Sequence, residues 1–262
     1  MIIYPAIDIK GGKCVRLLQG RANAVTVFGN DPVETARSWE RQGARFLHVV
    51  DLDGALEDES PNEEILRDLA KAVSVPIQLG GGIRTMEKLE RMLECYGIRR
   101  VILGTAAVED PELLKTAAGK YGNRIAVGID AKRGKAAIKG WVKETDIPVV
   151  DLALKIKALG IDTVIYTDIA KDGMMGGPNR KETEGMIRKT GMNIIASGGI
   201  SRLEDLREIR RIGAAGAIVG KALYTGAIRL SEALAIEEEK KQEVPGSDLP
   251  MNQIENGEDR KC

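Results

Sequence analysis

The stretch IDIKGGK at residues 7–13 returns as IDAKRGK at residues 129–135, a shared I-D-x-K-x-G-K pattern 122 residues apart. Two further pairs keep nearly the same spacing. Gly81-Gly82-Ile83 is matched by Gly198-Gly199-Ile200 at an offset of 117, and Val101-Ile102-Leu103-Gly104-Thr105-Ala106 by Ala217-Ile218-Val219-Gly220-Lys221-Ala222 at an offset of 116. Self-similarity at a fixed period marks a structure built from like units. Here the unit is half the chain, so what the first half forms the second half forms again.

The unit alternates strand and helix. Near-continuous apolar runs lie at 2–9, 46–52, 75–80, 100–104, 124–130, 163–169, 193–198 and 216–220. Strands apolar on both faces suit a parallel sheet covered by helices. Between them, Asp31-Pro32, Ser60-Pro61 and Asp110-Pro111 each join a capping side chain to a proline at the first helical position. Helically spaced apolar residues run from Thr85 to a stop at Gly97, and from Ser201 to a stop at Gly213. Eight strands alternating with about eight helices predict an α/β fold, a (β/α)8 TIM barrel made of two similar half-barrels, in preference to a doubly wound open sheet. One domain is expected over residues 1–236. The polar segment 237–262 reads as a disordered C-terminal tail outside the core.

Composition narrows the function. The 39 Lys and Arg balance 39 Asp and Glu, which leaves no overall positive field for nucleic acid or acidic membranes. No apolar run has the ~18 residues of a membrane helix, and the N-terminus lacks a secretory pattern. The single His and three unpatterned Cys argue against a metal site, and the odd thiol suits a reducing cytoplasm. Nothing calls for a partner chain, so a monomer is expected.

A barrel of this kind carries its site at the carboxyl ends of its strands. Asp8 and Asp130 end strands on opposite sides of the mouth, where two carboxylates in unlike surroundings can serve as acid and base. The paired glycines, Gly81-Gly82 and Gly198-Gly199, stand between strand and helix, where backbone N–H groups meet an anion. Gly104-Thr105 and Gly220-Lys221 end the next strands. Two symmetry-related cradles imply a long substrate with a phosphate at each end and its reacting atoms between the aspartates. Thr167 is placed to bind a sugar hydroxyl or assist proton transfer. His48 sits in an apolar strand, Trp141 in the long loop after the fifth strand, and Arg84 beside the first glycine pair; residues 171–179 have the makings of a lid.

The motifs PAIDIKGGKCVRLLQG (5–20), HVVDLDGA (48–55), GGGIR (80–84), VILGTAAVEDP (101–111), VGIDAKRGK (127–135), YTDIAKDGMMGGPN (166–179), IIASGGIS (194–201) and IVGKALY (218–224) together resemble the phosphoribosylformimino-aminoimidazole carboxamide ribotide isomerases of histidine biosynthesis. The resemblance covers residues 1 to about 235. It implies a cytoplasmic barrel enzyme without metal or cofactor, and an Amadori rearrangement of a bisphosphorylated ribotide. It also implies that Asp8 is the base, Asp130 the acid and Thr167 a supporting catalytic residue. His48, Arg84, Trp141 and Asp172 match substrate-contact or loop-closure positions, and Gly82, Gly104, Thr105, Gly177, Gly199, Gly220 and Lys221 match phosphate positions. Three rivals are weighed: the cyclase subunit of imidazole glycerol phosphate synthase, a bifunctional isomerase also acting on phosphoribosylanthranilate, and a non-catalytic barrel that binds phosphate ligands. Ala6 and Arg16 both depart from the cyclase pattern.

Overall fold

The computed structural model describes residues 1–18, 21–57, 60–138, 141 and 143–239. Its strands in chain order are β1 (Ile2–Lys10), β2 (Lys13–Leu18), β3 (Arg21–Gly29), β4 (Leu47–Asp51), β5 (Ile77–Gly80), β6 (Arg100–Leu103), β7 (Ile125–Lys132), β8 (Lys135–Ile138), β9 (Lys143–Pro148), β10 (Thr163–Asp168), β11 (Asn193–Ser197) and β12 (Gly216–Val219). Eight of them, β1, β4, β5, β6, β7, β10, β11 and β12, pair in parallel in that order, and β12 returns to β1. The ring is closed, which settles the choice between barrel and open sheet, and these eight strands are the apolar runs of the sequence.

The other four strands form two antiparallel hairpins that sequence periodicity does not separate from loop. β2 folds back on β1 and β3 on β2; β8 folds back on β7 and β9 on β8. The repeated K-x-G-K motif is the turn of each inner hairpin. Lys10 pairs with Lys13 and Lys132 with Lys135, and the two residues between have φ of 54° and 74° in the first turn and 54° and 76° in the second. A two-residue turn with both φ positive matches the twist of the flanking strands, so the motif had a local meaning besides marking the repeat.

Two apolar layers hold the barrel. Tyr4, Ala6, Phe46, Ile102, Ala126, Ile165, Ile195 and Ile218 fill its interior. A larger layer packs the outer faces of the strands against helices such as Pro32–Arg41, Pro111–Tyr121 and Leu203–Arg211. Asp31 and Asp110 cap their helices as expected. The Ser60-Pro61 signal is displaced: that helix spans Glu63–Ala72, and Asn62 at its N-cap turns its amide to Asp51 and Asp53 instead of to the helix.

The segment expected as a tail, 237–262, begins within the last helix among the described residues. The last helix runs Leu230–Glu238. The Glu237 carboxylate is nearly buried, accepts the Ile3 backbone N–H at 2.5 Å and pairs with Arg45 at 3.3 Å. A residue polar by type is here an anchor for the first barrel strand, a long-range contact that local composition does not show. Residues 240–262 lie outside the described residues. Glu237→Ala is expected to cost roughly 1–3 kcal/mol, several degrees of Tm, by leaving a buried donor unpaired. Truncation after Glu239 is expected to leave Tm unchanged. Thermal denaturation of the two variants checks both.

Candidate active site

The carboxyl ends of the eight strands surround one cavity of about 270 Å³. Asp8, His48, Gly82, Arg84, Gly104, Thr105, Asp130, Trp141, Thr167, Asp172, Gly199, Gly220 and Lys221 all line it. Gly177 does not: it lies behind Gly199, to whose carbonyl its N–H donates at 3.0 Å. Its place is support for a cradle and not part of the lining.

The two glycine pairs are shaped by close backbone approach. Gly81 and Gly82 have φ of 105° and 65°, and Gly198 and Gly199 have φ of 93° and 83°. A Cβ at Gly82 would strike the Gly54 backbone, and one at Gly199 the Gly177 backbone. Each cradle is thus pressed against the loop that follows the preceding barrel strand, and both halves use the same contact. The loops are pinned behind it by carboxylates. Asn62 donates to Asp51 at 2.8 Å and to Asp53 at 2.7 Å; Asn179 donates to Asp168 at 2.6 Å.

The centre of the mouth holds three carboxylates and one cation. Arg16, carried in by β2, donates to Asp8 at 2.5 Å and to the Ala6 carbonyl at 2.7 Å, and lies over the Tyr224 ring at 5.4 Å. Gly220 has no side chain because a Cβ there would meet the Arg16 guanidinium. Burial pushes the Asp8 pKa up, while the Arg16 charge and hydrogen bond pull it back. Asp130 differs. Burial raises its pKa to about 6, the Trp141 and Thr167 side chains hydrogen-bond it and hold it lower than burial alone would, and among the described residues no cation pairs with it. Asp172 is likewise raised to about 6, by burial first and by the Asp8 charge second. Its loop is tied to β12 through Lys221, which donates to the Gly173 carbonyl at 3.1 Å.

Asp8 and Asp130 both line the cavity, and two further charged side chains join them there. Arg16 was noted only as a departure from a related pattern; a charged residue inside the apolar run CVRLL was the available signal. Asp172, expected at a substrate-contact or loop-closure position, lines the cavity and interacts electrostatically with Asp8 and Arg16. Arg84 lines the rim with its guanidinium on the carbonyls of Glu57 and Ala55, at 2.8 and 3.1 Å. Trp141 reaches Asp130, from a backbone with φ of 72°. Among the described residues no three His, Cys, Asp or Glu side chains gather as a metal set, and no helix is long and apolar enough to cross a membrane.

The chain is similar to known proteins over most of its length. Residues 2–229 match the family model described as histidine biosynthesis protein. The chain is 50% identical over 236 residues to a protein of Acetivibrio thermocellus, covering 90% of this chain and 99% of that one. It is 53% identical over 234 residues to one of Ruminiclostridium cellulolyticum, covering 89% and 99%. A protein of Thermoanaerobacter pseudethanolicus is 50% identical, again over 90% and 99%. All three relatives are named 1-(5-phosphoribosyl)-5-((5-phosphoribosylamino)methylideneamino)imidazole-4-carboxamide isomerase.

The Asp130 shift has a stability consequence. With a folded pKa of about 6 against 3.8 for the free side chain, the folded state keeps a proton that the unfolded chain has lost. Stability therefore falls as pH rises from 4 through about 6, and the full penalty is present above that. Asp130→Asn removes the penalty. It is expected to raise stability at about pH 8 by up to roughly 3 kcal/mol and to change it little at about pH 4. Denaturant titrations at the two pH values check it; equal gains at both would contradict the assignment.

Proposed function

The chain belongs to the histidine biosynthesis protein family and isomerises the bisphosphorylated ribotide for which its relatives are named; we propose that it does so by an Amadori rearrangement in which Asp130 is the acid and Asp8 the base. The observation that carries the assignment is the contrast between two carboxyls in one cavity. Asp130 is buried with no cation beside it among the described residues, and its pKa is raised to about 6; Asp8, also raised by burial, has Arg16 against it, whose charge and hydrogen bond oppose that rise. Environments that separate two carboxyl groups are what acid and base roles require.

In this reading the two phosphates sit in the symmetry-related cradles, one at Gly82, Gly104 and Thr105, the other at Gly199, Gly220 and Lys221 with Gly177 behind it. The aminoaldose then lies across the mouth. Asp130 gives its proton to the ribose ring oxygen, the bond from that oxygen to the anomeric carbon breaks, and the nitrogen lone pair completes an imine. Asp8 takes the proton from the neighbouring carbon, and its electron pair forms the enolamine. Reprotonation of the former anomeric carbon, with loss of the hydroxyl proton, leaves the aminoketose. Thr167 and Trp141 orient Asp130 through their hydrogen bonds. Arg16 favours the ionised form of Asp8 against the effect of burial and aims the carboxylate. His48, Arg84 and Asp172 complete the contacts to the ribotide. No metal or organic cofactor has a role in these steps, and the reading is of a monomer acting in the cytoplasm.

Asp8→Asn and Asp130→Asn are each expected to lower turnover by two to four orders of magnitude, about the full contribution of one proton-transfer group, with the circular dichroism of the barrel unchanged. Near-normal turnover in either would overturn the acid–base pair. Gly82→Ala and Gly199→Ala are expected to raise KM, since each Cβ would strike the backbone packed behind the cradle and displace it. Assays with the aminoaldose ribotide and phosphoribosylanthranilate side by side separate a dedicated isomerase from a bifunctional one.

A further inference from the structure

A line of polar side chains crosses the barrel interior. His48 on β4 pairs in register with Gln78 on β5, and Gln78 with Arg100 on β6. Neighbours at one register of a sheet point to the same face, so all three enter the barrel together. Barrel strands are staggered, so such a row descends as it passes from strand to strand. His48 lines the cavity, Gln78 is fully buried, and Arg100 lies over the Phe46 ring at 5.5 Å in the interior layer.

The bonding along the row has one direction. Arg100 Nη1 meets Gln78 Oε1 at 3.1 Å, and a guanidinium only donates. The carbonyl end of the Gln78 amide therefore faces Arg100, and the NH2 end faces His48. Gln78 Nε2 is 3.0 Å from His48 Nδ1, so Nδ1 must accept. The ring proton is then on Nε2, the nitrogen left for the cavity. We propose that Gln78 and Arg100 are positioning residues for the isomerase, holding His48 as the neutral tautomer that presents a fixed Nε2–H donor to an oxygen of the bound ribotide.

The other half of the barrel makes the case sharper. At the equivalent positions β10, β11 and β12 carry Ile165, Ile195 and Gly216, which pair in the same register. A barrel wall thus closes with two isoleucines and a glycine whose missing Cβ leaves room for the Tyr4 ring. Burying an amide and an imidazole, and half-burying a guanidinium, in the matching wall costs more than burying isoleucine unless the buried polar atoms are paired. Packing alone does not explain the polar row. The charged group that acts on His48 besides this row is Arg16, which together with burial lowers the ring's pKa to about 3 and so works in the same sense.

The chain contains a single histidine, so the test is unambiguous. Heteronuclear NMR of uniformly nitrogen-labelled full-length protein reports which ring nitrogen carries the proton. The wild type is expected to show a proton on Nε2 and none on Nδ1, unchanged down to about pH 5. Gln78→Glu preserves size and keeps a partner for Arg100, but offers Nδ1 an acceptor. It is expected to move the proton to Nδ1 and to lower kcat/KM about tenfold or more, with Tm near that of the wild type. A merely structural Gln78 would lose nothing in that variant. Gln78→Ile, which copies the second half, is expected to fold, to mix the tautomers and to lose activity to a similar extent. A wild-type proton on Nδ1, or full kcat/KM in a Gln78→Glu chain with inverted tautomer, would overturn the proposal. The inference rests on the isomerase reading of the cavity. An intact chain inactive on the ribotide would sink that reading, while the nitrogen signals still decide the lock.

Discussion

Ile2–Pro5 of β1 lie in register against Gly216–Val219 of β12, and this ladder closes the ring by joining its two halves. Everything at the mouth depends on that closure. Parallel pairing carries all eight strand ends to one rim, so residues far apart in the chain share a single cavity. Within the second half, the ladder of β7 and β10 sets Thr167 beside Asp130, which gives that carboxyl its hydrogen-bond partner. Closing the ring also sets a second constraint. The interior must be filled by side chains from alternate positions, and the layer of Tyr4, Phe46 and the isoleucines at 102, 165, 195 and 218 does this below the site.

Above that layer the barrel concentrates charge that it cannot fully solvate. Asp8, Asp130 and Asp172 share the mouth with Arg16, and the structure resolves the conflict unevenly. Asp8 receives Arg16; Asp130 and Asp172 hold their protons to about pH 6 instead. A group that is costly to ionise where it sits is a better acid near neutral pH. The instability of the charged form and its use in proton transfer have one cause, the removal of water from around the carboxyl.

The two halves share a plan but differ in detail, and the differences are where sequence reading failed. The glycine pairs, the Asp–Asn pins behind them and the K-x-G-K hairpins recur at nearly one offset. Arg16 has no basic counterpart at Ile138, 122 residues on, and the His48–Gln78–Arg100 row faces Ile165, Ile195 and Gly216. Repeats reveal what the halves hold in common; residues that break the repeat look like noise until the fold brings them into one cavity. The hairpin strands β2, β3, β8 and β9 were missed for a different reason. They are mixed in polarity and pair only with a neighbouring strand, so no apolar period sets them apart.

Local chemistry in the sequence determined a good deal: the eight buried strands from their unbroken apolar runs, the capped helices from Asp-Pro pairs, the duplicated glycine turns, and Asp8 and Asp130 from the repeated motif. These features depend on residues close together in the chain or on a repeat visible by comparison. Tertiary structure alone decided which charges meet. Arg16 reaches Asp8 only because a hairpin folds inward, Glu237 anchors Ile3 across almost the whole length of the chain, and Asp172 joins the aspartates only when its loop lies over the mouth. Protonation followed from that, since the pKa of a carboxyl depends on its burial and on the charges that face it, and neither is a property of the residue's neighbours in sequence.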